Sequence, residues 1–322
     1  MKIDDSKTYD VFGVGNAIID FILEVEEGVL NEFNLRKGHF KGVNDEELDL
    51  IFGKIEESRF RKMPGGSTCN IVNGVAKLGG KCVFCGKVGA GINGIYYEDV
   101  LTADGVKPRL VRGGRTGKAL TFITPDTERS FAVSLGSAGD LVKEDIFEED
   151  IKDSRIVHIE GYQLQNDKTR EVALHVLDLA GKHNVPVSVD LNDSHVVKKN
   201  LEFIKGIVRK NVDIVFANEL EAEAFTGTAD LMEALDTLAS FAAVAVVKNG
   251  SGGSYIRSDG VTIRIPCYKA KCIDTNGAGD MYAAGVLYGL CRSMSLEEAG
   301  NLGAKAAARV VEQIGARYEG KF

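Results

Sequence analysis

Short runs rich in β-branched and aromatic residues alternate with longer amphipathic stretches through most of this chain, and this alternation limits the folds open to it. The amphipathic stretches include residues 68–80, 168–184 and 230–242. Runs that are apolar on both faces, such as VDIVFA, are typical of central parallel strands with helices packed on either side. The alternation therefore predicts an α/β fold with a doubly wound, mostly parallel central sheet. The predicted strands are residues 9–15, 81–89, 155–162, 185–192, 212–219 and 243–250.

Two regions depart from this alternation. A second strand follows the first without a helix from about Ile18, and the residues from about Arg109 to Leu135 have the pattern of two or three strands joined by Gly and Asp turns. Such strands cannot extend a parallel sheet without crossover helices. We therefore expect a small β-sheet lid over the carboxyl end of the central sheet, built from about 18–42 and about 108–135. No linker rich in Pro or Ser divides the chain, so residues 1–322 are predicted to form a single domain.

Charge and cysteine usage exclude several classes of protein. A net charge of -8 without any run of Lys and Arg argues against a nucleic-acid partner. No apolar run approaches the roughly 20 residues of a membrane helix, and the first residues lack a signal-peptide pattern. Six cysteines without such a signal predict reduced thiols in a cytoplasmic protein. Cys82 and Cys85 lie in one predicted strand with side chains on opposite faces, so we expect core residues, not a zinc or redox site.

The stretch DTNGAGD, followed by an Ala-rich apolar run, places Asp280 where a Gly-rich loop becomes a helix. Unpaired amides at a helix start bind anions, and Gly277, Ala278 and Gly279 carry little bulk to keep a ligand from the backbone. The helix dipole favours an ionised Asp280. An anion site beside a carboxylate suits phosphoryl transfer, in which the carboxylate deprotonates the attacking hydroxyl. The residues alone are equally compatible with a turn followed by an acidic first helical residue.

The pattern from Asp274 to Gly285 resembles a signature of the ribokinase-like (PfkB) family of carbohydrate and nucleoside kinases. The segment from Gly65 to Asn70, with its helix ending at Leu78-Gly79-Gly80, resembles the second signature of that family. The two stand in the family's order, about 200 residues apart, and the resemblance covers essentially the whole chain. It implies an ATP-dependent phosphotransferase with a central sheet and a β-lid. It also implies that Asp280 is the catalytic base and that Gly277, Ala278 and Gly279 form the anion hole.

The resemblance further implies an acceptor site. Asp20 would accept hydrogen bonds from paired sugar hydroxyls, and the segment after Met63 would form the floor of the site. Without the resemblance, the preferred interpretation of Asp20 is an exposed strand-end carboxylate, and the floor is a strand-to-helix turn with a polar residue in its first helical turn. The substrate-binding residues implied are Asn16, Ile18, Asp20, Gly65, Gly66, Ser67, Asn70 and Tyr162.

A nucleotide and metal site is implied in the same way. Asn218 and Glu221 match an Asn-x-x-Glu motif of the magnesium and phosphate environment, and also suit a helix cap. Arg129, in the lid, matches an Arg that some nucleoside kinases of the family use on phosphate, although a solvated loop Arg is an alternative. The implied cofactors are ATP and Mg2+, with a monovalent cation such as K+ as a further candidate; a monomer or a homodimer is expected. The implied nucleotide-binding residues are Asn218, Lys248, Gly250, Gly253 and Arg129, and the metal-binding residues are Asn218 and Glu221.

The acceptor is the least constrained feature. GGSTCN and the Ile18 between Asn16 and Asp20 are more similar to adenosine kinases than to ribokinases. Tyr162 falls where adenosine kinases place a stacking aromatic, and Phe40 is a candidate for the other side of a purine. These residues predict transfer to the adenosine 5'-hydroxyl, giving AMP. The alternatives are a kinase for a free sugar of the ribose, fructose or ketodeoxygluconate type and a non-catalytic nucleoside or sugar sensor. The stretch PDTERSFAVSLGSAG, common in bacterial sugar kinases of the family, and Tyr in place of Phe at 162 depart from the adenosine pattern.

Overall fold

Two β-sheets form the framework of the computed structural model, which describes residues 3–56, 59–126 and 128–320. Thr127 of the predicted lid and the terminal residues 1, 2, 321 and 322 lie outside the described residues. The strands in chain order are β1 (Tyr9–Val14), β2 (Ile18–Glu24), β3 (Phe40–Gly42), β4 (Arg61–Pro64), β5 (Cys82–Val88), β6 (Val106–Arg112), β7 (Thr116–Ile123), β8 (Arg129–Gly136), β9 (Ser154–Glu160), β10 (Val187–Asp190), β11 (Ile214–Asn218), β12 (Val244–Lys248), β13 (Ser254–Ser258) and β14 (Val261–Ile265).

The larger sheet has the strand order β14-β13-β12-β11-β10-β9-β1-β5-β6. All pairs from β12 to β6 are parallel, and only β13 and β14 are antiparallel additions at one edge. This arrangement confirms the predicted doubly wound, mostly parallel sheet, and each of the six predicted strands is present within a few residues of its predicted bounds.

Helices cover both faces of the larger sheet. Because strand side chains alternate between faces, Val11 packs in one hydrophobic core and Phe12 in the other. Cys82 and Cys85 also divide between the two cores, which confirms that they are buried core residues on opposite faces. The helices are α1 (Gly28–Glu32), α2 (Asp45–Phe52), α3 (Ser67–Lys77), α4 (Ile92–Ala103), α5 (Glu148–Lys152), α6 (Asp167–Lys182), α7 (Ser194–Lys199), α8 (Leu201–Asn211), α9 (Glu219–Thr226), α10 (Leu231–Ala239), α11 (Ala278–Leu290) and α12 (Leu296–Val310).

The smaller sheet has the order β3-β8-β7-β2-β4 and corresponds to the expected lid. Its bounds differ from the predicted ones in two places. Residues 108–112 belong to β6 of the larger sheet, because the chain passes from β6 to β7 through three residues without an intervening helix. The lid also gains β4, the short RKMP segment, which pairs antiparallel with β2 and was not predicted as a strand. One face of the lid packs on α1 and α2 through residues such as Phe21 and Leu48, which leaves the other face toward the larger sheet.

Candidate active site

Asp280 lies in the first turn of α11, where that helix packs against the start of α3. Ser67 Oγ donates to Asp280 Oδ1 at 2.7 Å, and Asn70 Nδ2 donates to Asp280 Oδ2 at 2.9 Å. Burial raises the pKa of Asp280, and these two hydrogen bonds oppose that rise. Each carboxylate oxygen keeps a lone pair, so the carboxylate is held by two donors and is still able to accept a proton.

The loop before Asp280 has open backbone amides. Gly277 has φ +75°, and a Cβ there would lie 2.2 Å from the carbonyl oxygen of Ala316, so only glycine fits. The Ala278 amide donates to the carbonyl of Thr275 at 3.2 Å. Among the described residues, no backbone acceptor pairs with the amides of Gly277 and Gly279. The predicted anion hole is therefore open at Gly277 and Gly279, while the Ala278 amide is used within the loop.

Asn192 holds the Ser67 side of this arrangement and was not among the sequence candidates. It follows β10 with φ +61°, a left-handed conformation that Asn tolerates better than most residues. Its Nδ2 donates to Ser67 Oγ at 2.8 Å, and its Oδ1 accepts from the Gly161 amide at 2.7 Å. An Asn just beyond a buried parallel strand was the available signal, because ligand sites form at the carboxyl edge of such sheets.

Asp20 faces Asp280 from the lid. A Cβ on Gly65 would lie 2.5 Å from the Asp20 carboxyl group, so the floor of the site and the lid strand β2 are in close contact here. Burial raises the pKa of Asp20 to about 7; the charges of Arg317 and Arg129 act against the rise, and the charge of Asp280 adds to it. Burial of a carboxylate is costly unless hydrogen-bond donors compensate it.

Asn16, between β1 and β2, is held by buried neighbours. Its backbone N and Nδ2 donate to Glu160 Oε1 at 3.0 and 2.7 Å, and its Oδ1 accepts from Gln163 Nε2 at 3.1 Å. The other Glu160 oxygen accepts from the Thr68 amide at 2.9 Å, at the start of α3. Burial raises the pKa of Glu160, against the effect of these backbone donors. Glu160, which carried no predicted role, thus joins β1, β9 and α3 beneath the site.

The face of the lid that carries Asp20 is otherwise largely apolar. Directly paired residues on neighbouring strands share a face, and so do residues two apart on one strand. By this register, Ala119 and Met63 lie directly beside Asp20. The same face continues through Ile18, Val133 and Phe131 to Phe40 on the edge strand β3, and its polar members include Thr121 and Arg129. Phe40 is 59% exposed at the lid edge. Tyr162 instead follows β9 and packs against the hydrophobic core that contains Phe12. Phe40 and Tyr162, the two aromatic candidates for a purine site, therefore belong to different parts of the fold.

Lys248 supplies a positive charge beside the anion hole. Its Nζ lies 2.6 Å from Asp190 Oδ2 and would lie 3.1 Å from a Cβ on Gly279. Burial alone would lower the pKa of Lys248, but the carboxylates of Asp190 and Glu221 outweigh burial and raise it. The ammonium group therefore stays charged next to the amides that would receive a phosphoryl group.

The Asn218 and Glu221 motif forms a helix cap at the start of α9. Asn218 Oδ1 accepts from the Glu221 amide at 2.8 Å, while the Asn218 backbone N and Nδ2 each donate to a Glu221 oxygen at 2.8 Å. Burial raises the pKa of Glu221 to about 7, and Lys248 opposes the rise. In the described ranges, no group of three or more His, Cys, Asp and Glu could hold a metal by itself. Oxygen donors such as Glu221 and Asp190 suit Mg2+, which binds through one or two carboxylates and completes its shell with water and phosphate oxygens.

The remaining predicted nucleotide residues lie at two separate places. Gly250 and Gly253 form the turn between β12 and β13, in which the Asn249 amide donates to the Gly253 carbonyl at 2.8 Å. Arg129, at the start of β8, forms an ion pair with the buried Asp274, and burial lowers the pKa of Arg129 to about 10. Arg129 therefore joins the lid to the loop that leads into α11.

Comparison with known proteins identifies kinases among the relatives of this chain. The profile of the pfkB family carbohydrate kinases matches residues 45–320. A 5-dehydro-2-deoxygluconokinase of Listeria monocytogenes is 31% identical over 272 residues, which cover 80% of this chain and 83% of the relative. A probable sugar kinase protein from Rhizobium etli CFN 42 superposes with a TM-score of 0.92 at 31% identity, covering 98% of this chain and 96% of that one. The adenosine kinase of Sinorhizobium meliloti superposes with a TM-score of 0.90 at 32% identity, covering 96% and 95%.

Proposed function

The chain belongs to the pfkB family of carbohydrate kinases, and on that premise we propose that it transfers the γ-phosphoryl group of ATP to a hydroxyl of a free sugar. Membership of the family makes it an ATP-dependent phosphotransferase acting on a sugar or a nucleoside. The Listeria monocytogenes relative and a Clostridium beijerinckii relative are both named 5-dehydro-2-deoxygluconokinase. These names favour the free-sugar alternative over adenosine, the acceptor first expected from the sequence.

The observation that carries the mechanism is the pair of hydrogen bonds that fix Asp280 at the start of α11. In the proposed reaction, Asp280 accepts the proton of the acceptor hydroxyl. The acceptor oxygen forms a bond to the γ-phosphorus as the bond to the β,γ-bridging oxygen breaks, and ADP leaves. The amides of Gly277 and Gly279 and the ammonium of Lys248 stabilise the charge on the moving group.

The other predicted residues take their proposed roles from this geometry. Asp20 accepts hydrogen bonds from the acceptor hydroxyls, and Asn16 shapes that side of the site through Glu160. Mg2+, bound with ATP near Glu221, would neutralise phosphate charge, and a monovalent cation remains a candidate activator.

Six free cysteines support a cytoplasmic location, and a monomer or homodimer stays the expectation. None of the helices in the described ranges combines the length and the hydropathy of a membrane span.

Adenosine is the second candidate, favoured by one observation. The lid face beside Asp20 presents Ala119, Val133, Phe131 and Phe40, an apolar surface that suits a purine better than a sugar acid.

ADP formation with an acceptor panel separates the two candidates. The panel contains 5-dehydro-2-deoxygluconate, ketodeoxygluconate, ribose, fructose and adenosine, each with MgATP. We expect a kcat/KM for one free sugar at least tenfold above that for adenosine. Adenosine ahead of every sugar would reject the free-sugar proposal and leave the kinase assignment intact. Asp280→Asn serves as the inactive control, and Asp178→Asn, an exposed carboxylate on α6, serves as the matched active control.

A further inference from the structure

Arg317 is a buried cation close to the site, in the segment after α12. The residue is 5% exposed, and neither of the side-chain partners of its guanidinium within the described residues is a carboxylate. Its Nε donates to Asn70 Oδ1 at 3.1 Å, and its Nη2 lies 2.9 Å from Cys69 Sγ. Its Nη1 is buried and has no hydrogen-bond partner in the same part of the chain. A guanidinium in such surroundings costs stability, so packing alone does not account for it.

The contact with Asn70 determines how Asp280 is held. A guanidinium only donates hydrogen bonds, so it selects the carbonyl oxygen of the Asn70 amide. The amide nitrogen of Asn70 then points to Asp280 Oδ2, to which it donates at 2.9 Å. The reversed amide would direct an oxygen at the carboxylate and an NH2 group at the cation, and both contacts would be repulsive.

We propose that Arg317 is a positioning residue for phosphoryl transfer, which orients the Asn70 amide and thereby aims the Asp280 carboxylate at the acceptor hydroxyl. The inference rests on the proposed role of Asp280 as the base. It assigns a function to the C-terminal segment, which neither sequence signature includes.

The same cation also acts on Asp20. Burial has the largest effect on this carboxylate and raises its pKa; the charges of Arg317 and Arg129 oppose that rise, while the charge of Asp280 adds to it. Loss of the Arg317 charge would therefore raise the pKa of Asp20 and extend the pH range in which Asp20 is protonated. Because a protonated Asp20 accepts fewer hydrogen bonds from the acceptor, the acidic limb of kcat/KM would move to higher pH.

A double-mutant cycle tests the proposal. We compare Arg317→Met, Asn70→Ala and the double variant in single-turnover phosphoryl transfer, with Arg309→Met on the exposed face of α12 as the matched control. We expect Arg317→Met to lower the transfer rate roughly tenfold to hundredfold, because misplacement of a reacting group has costs of that size. In the Asn70→Ala background the same change should cost less than threefold, since Arg317 then has no amide to orient. ATP affinity and the Arg309→Met rate should be unchanged.

Two results would overturn the proposal: a folded Arg317→Met variant with the wild-type rate, or equal losses from Arg317→Met with and without Asn70. If Arg317→Met does not fold, Arg317→Lys replaces it in the cycle. Lysine keeps the positive charge but lacks the planar guanidinium group that contacts Asn70 and Cys69 at the same time. The pH profile adds a readout that a purely structural role would not move: the acidic limb should shift upward in Arg317→Met and stay in place in Arg317→Lys. Substantial turnover by Asp280→Asn would instead reject the base assignment itself.

Discussion

Replacement of Lys248 by Met tests the charge arrangement at the donor side of the site. Lys248 Nζ and Asp190 Oδ2 are 2.6 Å apart, and their side chains are 15% and 1% exposed. Removing one partner of a buried pair leaves an uncompensated charge, which costs about 3–5 kcal/mol in the free energy of unfolding. The same change removes the group that opposes the raised pKa of Glu221. We therefore expect Lys248→Met to lose stability by that amount and to lose most of its activity.

The double variant Lys248→Met with Asp190→Asn shows whether the loss of stability comes from the buried, uncompensated charge of Asp190. Replacing both members by neutral groups removes the unpaired charge of Asp190, so most of the lost stability should return, to within about 1–2 kcal/mol of wild type. Activity should not return, since the cation beside Gly279 is still missing. Lys152→Met, which breaks an exposed pair with Glu149, is the control and should change stability little.

Urea unfolding followed by far-UV circular dichroism and tyrosine fluorescence measures these differences. Coincident transitions for the two probes justify a two-state fit for each variant. A Lys248→Met protein as stable as wild type would refute the buried-pair reasoning. A double variant no more stable than Lys248→Met would refute it as well, because the penalty would then not depend on the Asp190 charge.

Three further predictions follow from single residues. The pKa of Asp20 is raised from 3.8 to about 7, so this group's contribution to stability is full below about pH 4 and is lost as pH rises through 7. In thermal melts, Asp20→Asn should therefore gain stability relative to wild type as pH rises from 4 to 7, and its KM for the acceptor should be higher. An equal difference in melting temperature at every pH would contradict this. Gly277→Ala should lower both stability and kcat, since its Cβ meets the Ala316 carbonyl at φ +75°; wild-type melting and kcat would show that the loop can relax. Asn192→Ala should lower kcat roughly tenfold with unchanged ATP binding, because Ser67 loses a donor; an unchanged kcat would exclude this role.

The sequence was sufficient for the elements that local pattern determines. The pattern of residues apolar on both faces predicted strands such as β11, and the Gly-rich loop predicted the start of α11; the structure contains both. β4 was missed because four residues ending in Pro, at a sheet edge, have no strand periodicity. The predicted lid began too early at 108 because β6 and β7 are almost contiguous in sequence although they lie in different sheets.

Only the site residues that lie within sequence motifs could be predicted, because the other residues are brought to the site by long-range contacts. Ser67, Asn70 and Asp280 belong to motifs, and the structure brings them together. Asn192 and Arg317 act through contacts with residues more than 100 positions away, and no spacing in the sequence indicates such contacts. Side chains that orient a catalytic group are therefore visible only once the topology has brought the strand ends and the C-terminal segment together.

The central claim is that Asp280 is the base in transfer from ATP to the acceptor hydroxyl. The most direct measurement is single-turnover quench-flow of the wild type and Asp280→Asn with MgATP and the best acceptor of the panel, beside ATP binding by calorimetry. We predict that the variant keeps its ATP affinity within about threefold and transfers phosphate at least a thousandfold more slowly, a loss in the range that removal of a general base produces. A transfer rate within tenfold of wild type, with ATP still bound, would contradict the account.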